Sequence, residues 1–60
     1  MRFDVMIVEA RTQKAVSVIG TNLNEEQAGR RIETGISRIN ENYFVSEYPT
    51  GKYQEGDTVE

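Results

Sequence analysis

The run GRRIETGISRINENYF, residues 29–44, gathers Arg30, Arg31 and Arg38 beside Tyr43 and Phe44. A guanidinium offers a planar fork of donors that fits phosphate or carboxylate, and aromatic rings give bases a stacking platform. The run therefore reads either as an anion-binding surface or as the wet side of an amphipathic helix. Helical geometry separates its members. Arg30 lies opposite the apolar stripe, among Glu26, Glu33, Ser37 and Glu41, and Glu26–Arg30 is an i,i+4 ion pair of the favoured orientation. Arg31 and Arg38 share one flank with Gln27 and Thr34, and Arg31 has no acid three or four residues away. That flank is left to meet phosphate, a partner's carboxylate or water. Tyr43 and Phe44 point to opposite faces if they open a strand, so they do not form one platform. Tyr48 and Tyr53 flank the Pro49–Gly51 turn. Because interface hot spots favour tyrosine and arginine, the expected partner-binding residues are Arg31, Arg38, Tyr48 and Tyr53.

Other chemistry is missing. The chain has no histidine and no cysteine, which removes disulfides and metal sites with nitrogen or sulfur ligands. Ser17, Ser37 and Ser46 have no imidazole to activate them. EGDTVE, residues 55–60, lacks the carboxylate spacing of a calcium loop, and Gly20, Gly29 and Gly35 are too far apart to cradle a phosphate. We expect no enzyme, no cofactor and no metal. The net charge is −3, and residues 42–60 alone carry four acids and one base. Nucleic-acid binders show a basic stripe instead. Binding of nucleic acid through Arg31, Arg38 and the basic residues near the first hairpin (Arg2, Arg11, Lys14) is the alternative reading.

The elements that must position these groups follow from periodicity. In residues 3–10, FDVMIVEA, Phe3, Val5 and Ile7 face one way and Met6, Val8 and Ala10 the other, so both faces of this strand need cover. RTQK (11–14) is a four-residue connection to a second strand, AVSVIG (15–20), closed by Gly20. No Asn-Gly or Asp-Gly fixes the hairpin register. Asn24 is an N-cap, Gln27 completes a capping box, and Glu25 and Glu26 sit in the first turn, where the helix dipole favours acids. Ala28, Ile32, Ile36, Ile39 and Tyr43 then form one narrow apolar stripe. YFVSEYP (43–49) is a third strand, and Pro49 and Gly51 mark a turn that leaves room for a short fourth strand at 52–54. Residues 55–60 read as a frayed acidic tail. The fold class is α+β, a single domain over residues 1–60. One helix covers one face of a three- to four-stranded, mainly antiparallel sheet in ββαβ(β) order, with strand order 2-1-3.

A chain of 60 residues has a marginal core, and small domains lean on disulfides, metals or self-association. With the first two absent, a homodimer that hides the second sheet face is the expected remedy. No apolar run is long enough to span a bilayer, and MRFDVMIVEA is no signal peptide, so a cytoplasmic protein without membrane contact is expected. The segment VSVIGTNLNEEQAGRRIETGISRINENYFVSEYPTGKYQEGD, with its capped helix ending RIN, its YFV strand and its GKYxxGD end, resembles small accessory proteins of tailed bacteriophages. That resemblance implies a non-enzymatic protein-interaction module in the host cytoplasm, a modulator or inhibitor of a host protein. It implies no functional residues.

Overall fold

The structure, a computed structural model, describes residues 1–59. The strands β1 (Phe3–Glu9) and β2 (Lys14–Leu23) are followed by the helix α1 (Glu25–Ile36) and the strand β3 (Tyr43–Pro49). The sheet has the order β2-β1-β3 with both pairings antiparallel, so the doubly apolar strand is central. This is the expected ββαβ arrangement. The expected fourth strand at 52–54 does not form; the residue that bridges is Thr58, opposite Lys14. Among the described residues no helix is long and apolar enough to cross a membrane.

β2 is longer than the strand it pairs with, and the excess goes into bulges. Its ten residues face seven of β1, with register shifts between Phe3 and Val5, Val5 and Met6, and Ile7 and Val8. Each bulge sets two residues against one and sharpens the twist. Ala15 and Val18 therefore join the face of Met6 and Val8, while Ile19 and Gly20 both turn toward the helix. The apolar pattern of β2 has a local period near three, which simple alternation cannot describe.

α1 starts as its capping residues dictate. The Asn24 side chain accepts from the Gln27 N–H at 2.8 Å and the Gln27 side chain accepts from the Asn24 N–H at 3.0 Å. Its end departs from expectation, because the apolar stripe does not continue to Tyr43. The Thr34 and Ser37 hydroxyls bond the carbonyls of Arg30 and Thr34, and the Arg38 and Ile39 N–H groups reach back only three residues. Such local bonding tightens and ends a helix. Ile36 is consequently 56 % exposed, and the face that meets the sheet is Ala28, Ile32 and Gly35.

The second face of the sheet is covered by the chain's own C-terminal segment. Pro49 to Lys52 and Gln54 to Asp57 each close a turn by a backbone bond, with Gly51 (φ 87) and Gly56 (φ 92) at the third position. A type II turn demands positive φ there. Proline at its usual second position would give a turn over 48–51; here Pro49 is first and the turn runs over 49–52. Beyond it, Gly56 donates to the Ala15 carbonyl, Ala15 to that of Asp57 and Val59 to that of Gln13, at 2.7, 2.8 and 2.7 Å. Val59 is buried with Met6, Val8 and Ala15, and Val18, Phe44, Tyr48 and Tyr53 pack around them. The expected frayed tail is therefore corrected for residues 55–59, and Glu60 lies outside the described residues. The face assigned to a homodimer contact is already occupied.

Asp4 ties this segment to the hairpin. The side chain is buried, and its carboxylate accepts from the Asn22 N–H at 2.9 Å, the Thr50 hydroxyl at 3.0 Å and the Gly51 N–H at 3.1 Å. Burial by itself would push the carboxyl up, but the two backbone donors and the hydroxyl together hold it below its ordinary value. A depressed folded-state value stabilises the fold above the unfolded one, about pH 4, and that stabilisation is lost as pH falls through the depressed value. Wild-type stability should thus fall on acidification below about pH 4, and Asp4→Asn should flatten that limb. Asp4→Asn should also lower stability at pH 7 by about 1–3 kcal/mol in denaturant titrations.

The glycines of α1 supply a second check. A Cβ at Gly35 would sit 2.8 Å from the Ile19 Cδ1 and 3.0 Å from the Val45 Cγ2, whereas one at Gly29 would meet nothing within 4 Å. Gly35→Ala should destabilise by about 1–3 kcal/mol through overpacking. Gly29→Ala should stabilise by about 0.5–1 kcal/mol through helix propensity. Thermal midpoints of the two variants should move in opposite directions.

Candidate functional site

The bulges of β2 and the early end of α1 leave a cleft on the helix side of the sheet. Arg31 leans across β2, its guanidinium donating to the Ile19 carbonyl at 2.5 Å and its stem lying over Gly20. Arg38 stands just beyond the last helical turn. Two compartments of about 270 and about 240 Å³ open on either side of Arg38 and share it and Ile7, and Arg31 lines the first. The first has Ile19, Thr34 and Gly35 in its walls; the second has Val16, Ser17, Ile39 and Tyr43. Val16 is 43 % exposed although apolar, because the bulge at Val16–Ser17 turns it out beside the cleft.

The two arginines have different employment. Arg31 is exposed yet engaged on a carbonyl of the sheet edge, so part of its donor fork is taken. Arg38 is exposed, and among the described residues its guanidinium makes no hydrogen bond and no ion pair. Arg30 pairs with Glu26 at 2.6 Å with both side chains 74 % exposed, an ordinary surface pair. The cleft thus combines an aliphatic floor, a hydroxyl at Ser17 and one uncommitted cation. It suits a carboxylate carried on an apolar side chain or peptide.

The four expected partner-binding residues do not share a surface. Tyr48 and Tyr53 lie on the opposite face, half-buried, with ring centroids 5.0 Å apart and planes at 87°. Such edge-to-face pairing adds to area burial, and the pair walls the cluster of Met6, Val8, Ala15 and Val59. Lys52 rests over the outer Tyr53 ring, its Nζ 5.3 Å from the centroid. The cleft instead collects Ile7, Val16, Ser17, Ile39 and Tyr43. Sequence reasoning passed over these because a continuous helix stripe would have buried Ile39 and Tyr43 within α1. The only signal for them was the density of Gly, Ser, Thr and Asn over 34–42, which marks a helix end.

Among the described residues no three acidic side chains approach closely enough to hold a metal ion, and the acid held below its ordinary value, Asp4, is committed to structural donors. No family model, curated protein or solved structure matches the chain.

The tyrosine pair yields a direct test. Truncating a half-buried aromatic that walls the core removes packing, so Tyr53→Ala should lower unfolding free energy by about 2 kcal/mol or more. Arg38→Ala touches no partner and should leave it within about 0.5 kcal/mol. Urea titrations of both variants report the difference.

Proposed function

We propose that this chain is a non-enzymatic protein-binding module, dimeric in its working form, that docks an acidic, apolar-anchored segment of a partner in the cleft between α1 and β2. The phage resemblance adds a setting, modulation or inhibition of a host protein in the host cytoplasm. The observation that carries the reading is Arg38, an uncommitted guanidinium standing over Ile7 and Ile39. A cation at the rim of an apolar floor gives orientation to a contact whose affinity comes from burial. The net charge of −3 argues against a strongly acidic partner as a whole, so recognition rests on a local carboxylate.

Nucleic-acid binding draws less support from the same geometry. Arg2 and Arg11 lie beyond opposite ends of β1, whose seven residues span about 20 Å at about 3.3 Å per residue. Arg31 is engaged on the Ile19 carbonyl, and Lys14 stands exposed at the start of β2. These residues do not line up as the stripe that tracks a phosphate backbone.

Capture from a bacterial lysate on immobilised protein, followed by titration of whatever is retained, tests the reading. Arg38→Ala should weaken binding at least tenfold, about 1.4 kcal/mol. Arg30→Ala, which changes net charge equally on the far side of the helix, should leave it unchanged. Equal effects from the two variants would reduce the site to net charge, and normal capture by both would remove it. Gel shifts with DNA and RNA at physiological salt should show nothing tighter than about 10⁻⁴–10⁻⁶ M.

A further inference from the structure

β3 is an outer strand, and which of its groups face outward can be read from its neighbours. The Thr50 N–H bonds the Arg2 carbonyl at 3.0 Å and the Ala10 N–H bonds that of Asn42 at 2.9 Å, in continuation of the β1–β3 register. Hydrogen-bonded pairs alternate in an antiparallel ladder, so Phe44, Ser46 and Tyr48 turn their backbone groups to β1. Tyr43, Val45, Glu47 and Pro49 turn theirs outward. Pro49 has no N–H to strand there, the position at which an edge strand accepts proline. The Tyr43 N–H is taken by the Asn40 carbonyl at 3.2 Å. The outward donors left are Val45 and Glu47, and the outward acceptors are Tyr43, Val45 and Glu47.

We infer that this edge pairs with itself: a second copy of the chain adds its β3 antiparallel about a two-fold axis through Val45, continuing the sheet to six strands. The pattern of donors is what selects a second copy. With Val45 opposite Val45 of the second copy, Tyr43 falls opposite Glu47. Each Val45 then donates to the other Val45 carbonyl, and each Glu47 N–H to the opposing Tyr43 carbonyl. Both outward donors of each chain are satisfied; the reciprocal bond of the 43/47 pair, from the Tyr43 N–H to the Glu47 carbonyl, is given up because the Asn40 carbonyl holds that N–H, and Pro49 lies beyond the paired positions. A Tyr43 hydroxyl also faces a Glu47 carboxylate across the pair, on the helix side.

The helix flank above β3 fits the same axis. Taking about 100° per residue, Arg31 lies about 50° to one side of the buried Ala28–Gly35 line, over β2. Ile36 lies about 90° and Gly29 about 110° to the other side, over β3. Ile36 is 56 % exposed, and Gly29 has open space around its Cα. The two lie on one flank, two turns or about 10.5 Å apart along the axis; the exposed apolar residue at one end and the missing side chain at the other let two helices approach across the two-fold. The bare flank is otherwise unexplained, since Gly29 weakens its helix without serving the fold.

The inference rests on the dimeric half of the proposed function and moves the contact from the covered sheet face to the β3 edge. Sedimentation equilibrium of the full chain from about 10 µM to about 1 mM, a range that brackets ordinary weak dimers, should show masses rising from 6.8 kDa toward twice that value. Amide exchange at Val45 and Glu47 should slow as concentration rises, while other exposed amides stay unchanged. Ile36→Glu, which sets two carboxylates against each other at an exposed position, should raise the dissociation constant at least tenfold with the thermal midpoint of the monomer retained. A mass of 6.8 kDa throughout, a dimer whose Val45 and Glu47 amides stay unprotected, or an Ile36→Glu dimer of unchanged strength would each overturn it. The Ile36→Glu variant keeps the Arg38 cleft intact, so failure here is distinct from failure of partner capture.

Discussion

The Asp4 carboxylate is the point on which the two halves of the molecule meet. It sits near the start of the central strand and takes donors from the end of β2, at Asn22, and from the turn after β3, at Thr50 and Gly51. A buried carboxylate is tolerable only when its oxygens are filled in this way. Asn22 itself holds a positive φ of 53°, a conformation asparagine accepts more readily than most residues. One side chain thus fixes where β2 stops curling and where the C-terminal segment starts back across the sheet. From that start the segment reaches the outer edge of β2, where Ala15 exchanges bonds with Gly56 and Asp57.

The outcome is a three-layer arrangement in a very short chain. The helix lies on one side of the sheet and an irregular strap on the other, and Val5, Met6 and Val8 are fully buried between them. The strap is held by few apolar side chains, chiefly Tyr53 and Val59, and by its backbone bonds to 13–15. It also occupies part of the β2 edge, which leaves β3 as the open edge of the sheet. The bulges that wrap β2 around the helix turn Val16 and Ile19 to the helix side, where they meet Arg31 and Arg38. Cleft and open edge are thus both consequences of how the strap and the bulged strand were accommodated.

Much of this was legible in the residues. Alternation on both sides of FDVMIVE required a central strand with two covers, and Asn24 with Gln27 marked the helix start to the residue. The need for a second cover was legible; its source was not, because Tyr53 and Val59 stand isolated among polar residues and look like a solvated end. The bulges were illegible for a related reason, since AVSVIG satisfies neither a period of two nor one of 3.6. The role of Asp4 was not legible, as nothing local reveals that three donors from distant segments converge on it. The cleft followed the helix end: Arg38 was legible as a candidate on the Arg31 flank, but a stripe read through to Tyr43 hid the apolar cleft beside it.

The account stands or falls on the strap being part of the cooperative fold. Native-state amide exchange measures this residue by residue, because amides freed only by global unfolding share one opening free energy while frayed ones exchange near the rate of free peptide. The Gly51, Gly56 and Val59 amides, bonded to Asp4, Ala15 and Gln13, should open with the same free energy as Met6 and Val8 in the central strand. Exchange of those three near the unprotected rate, with Met6 and Val8 still protected, would contradict it.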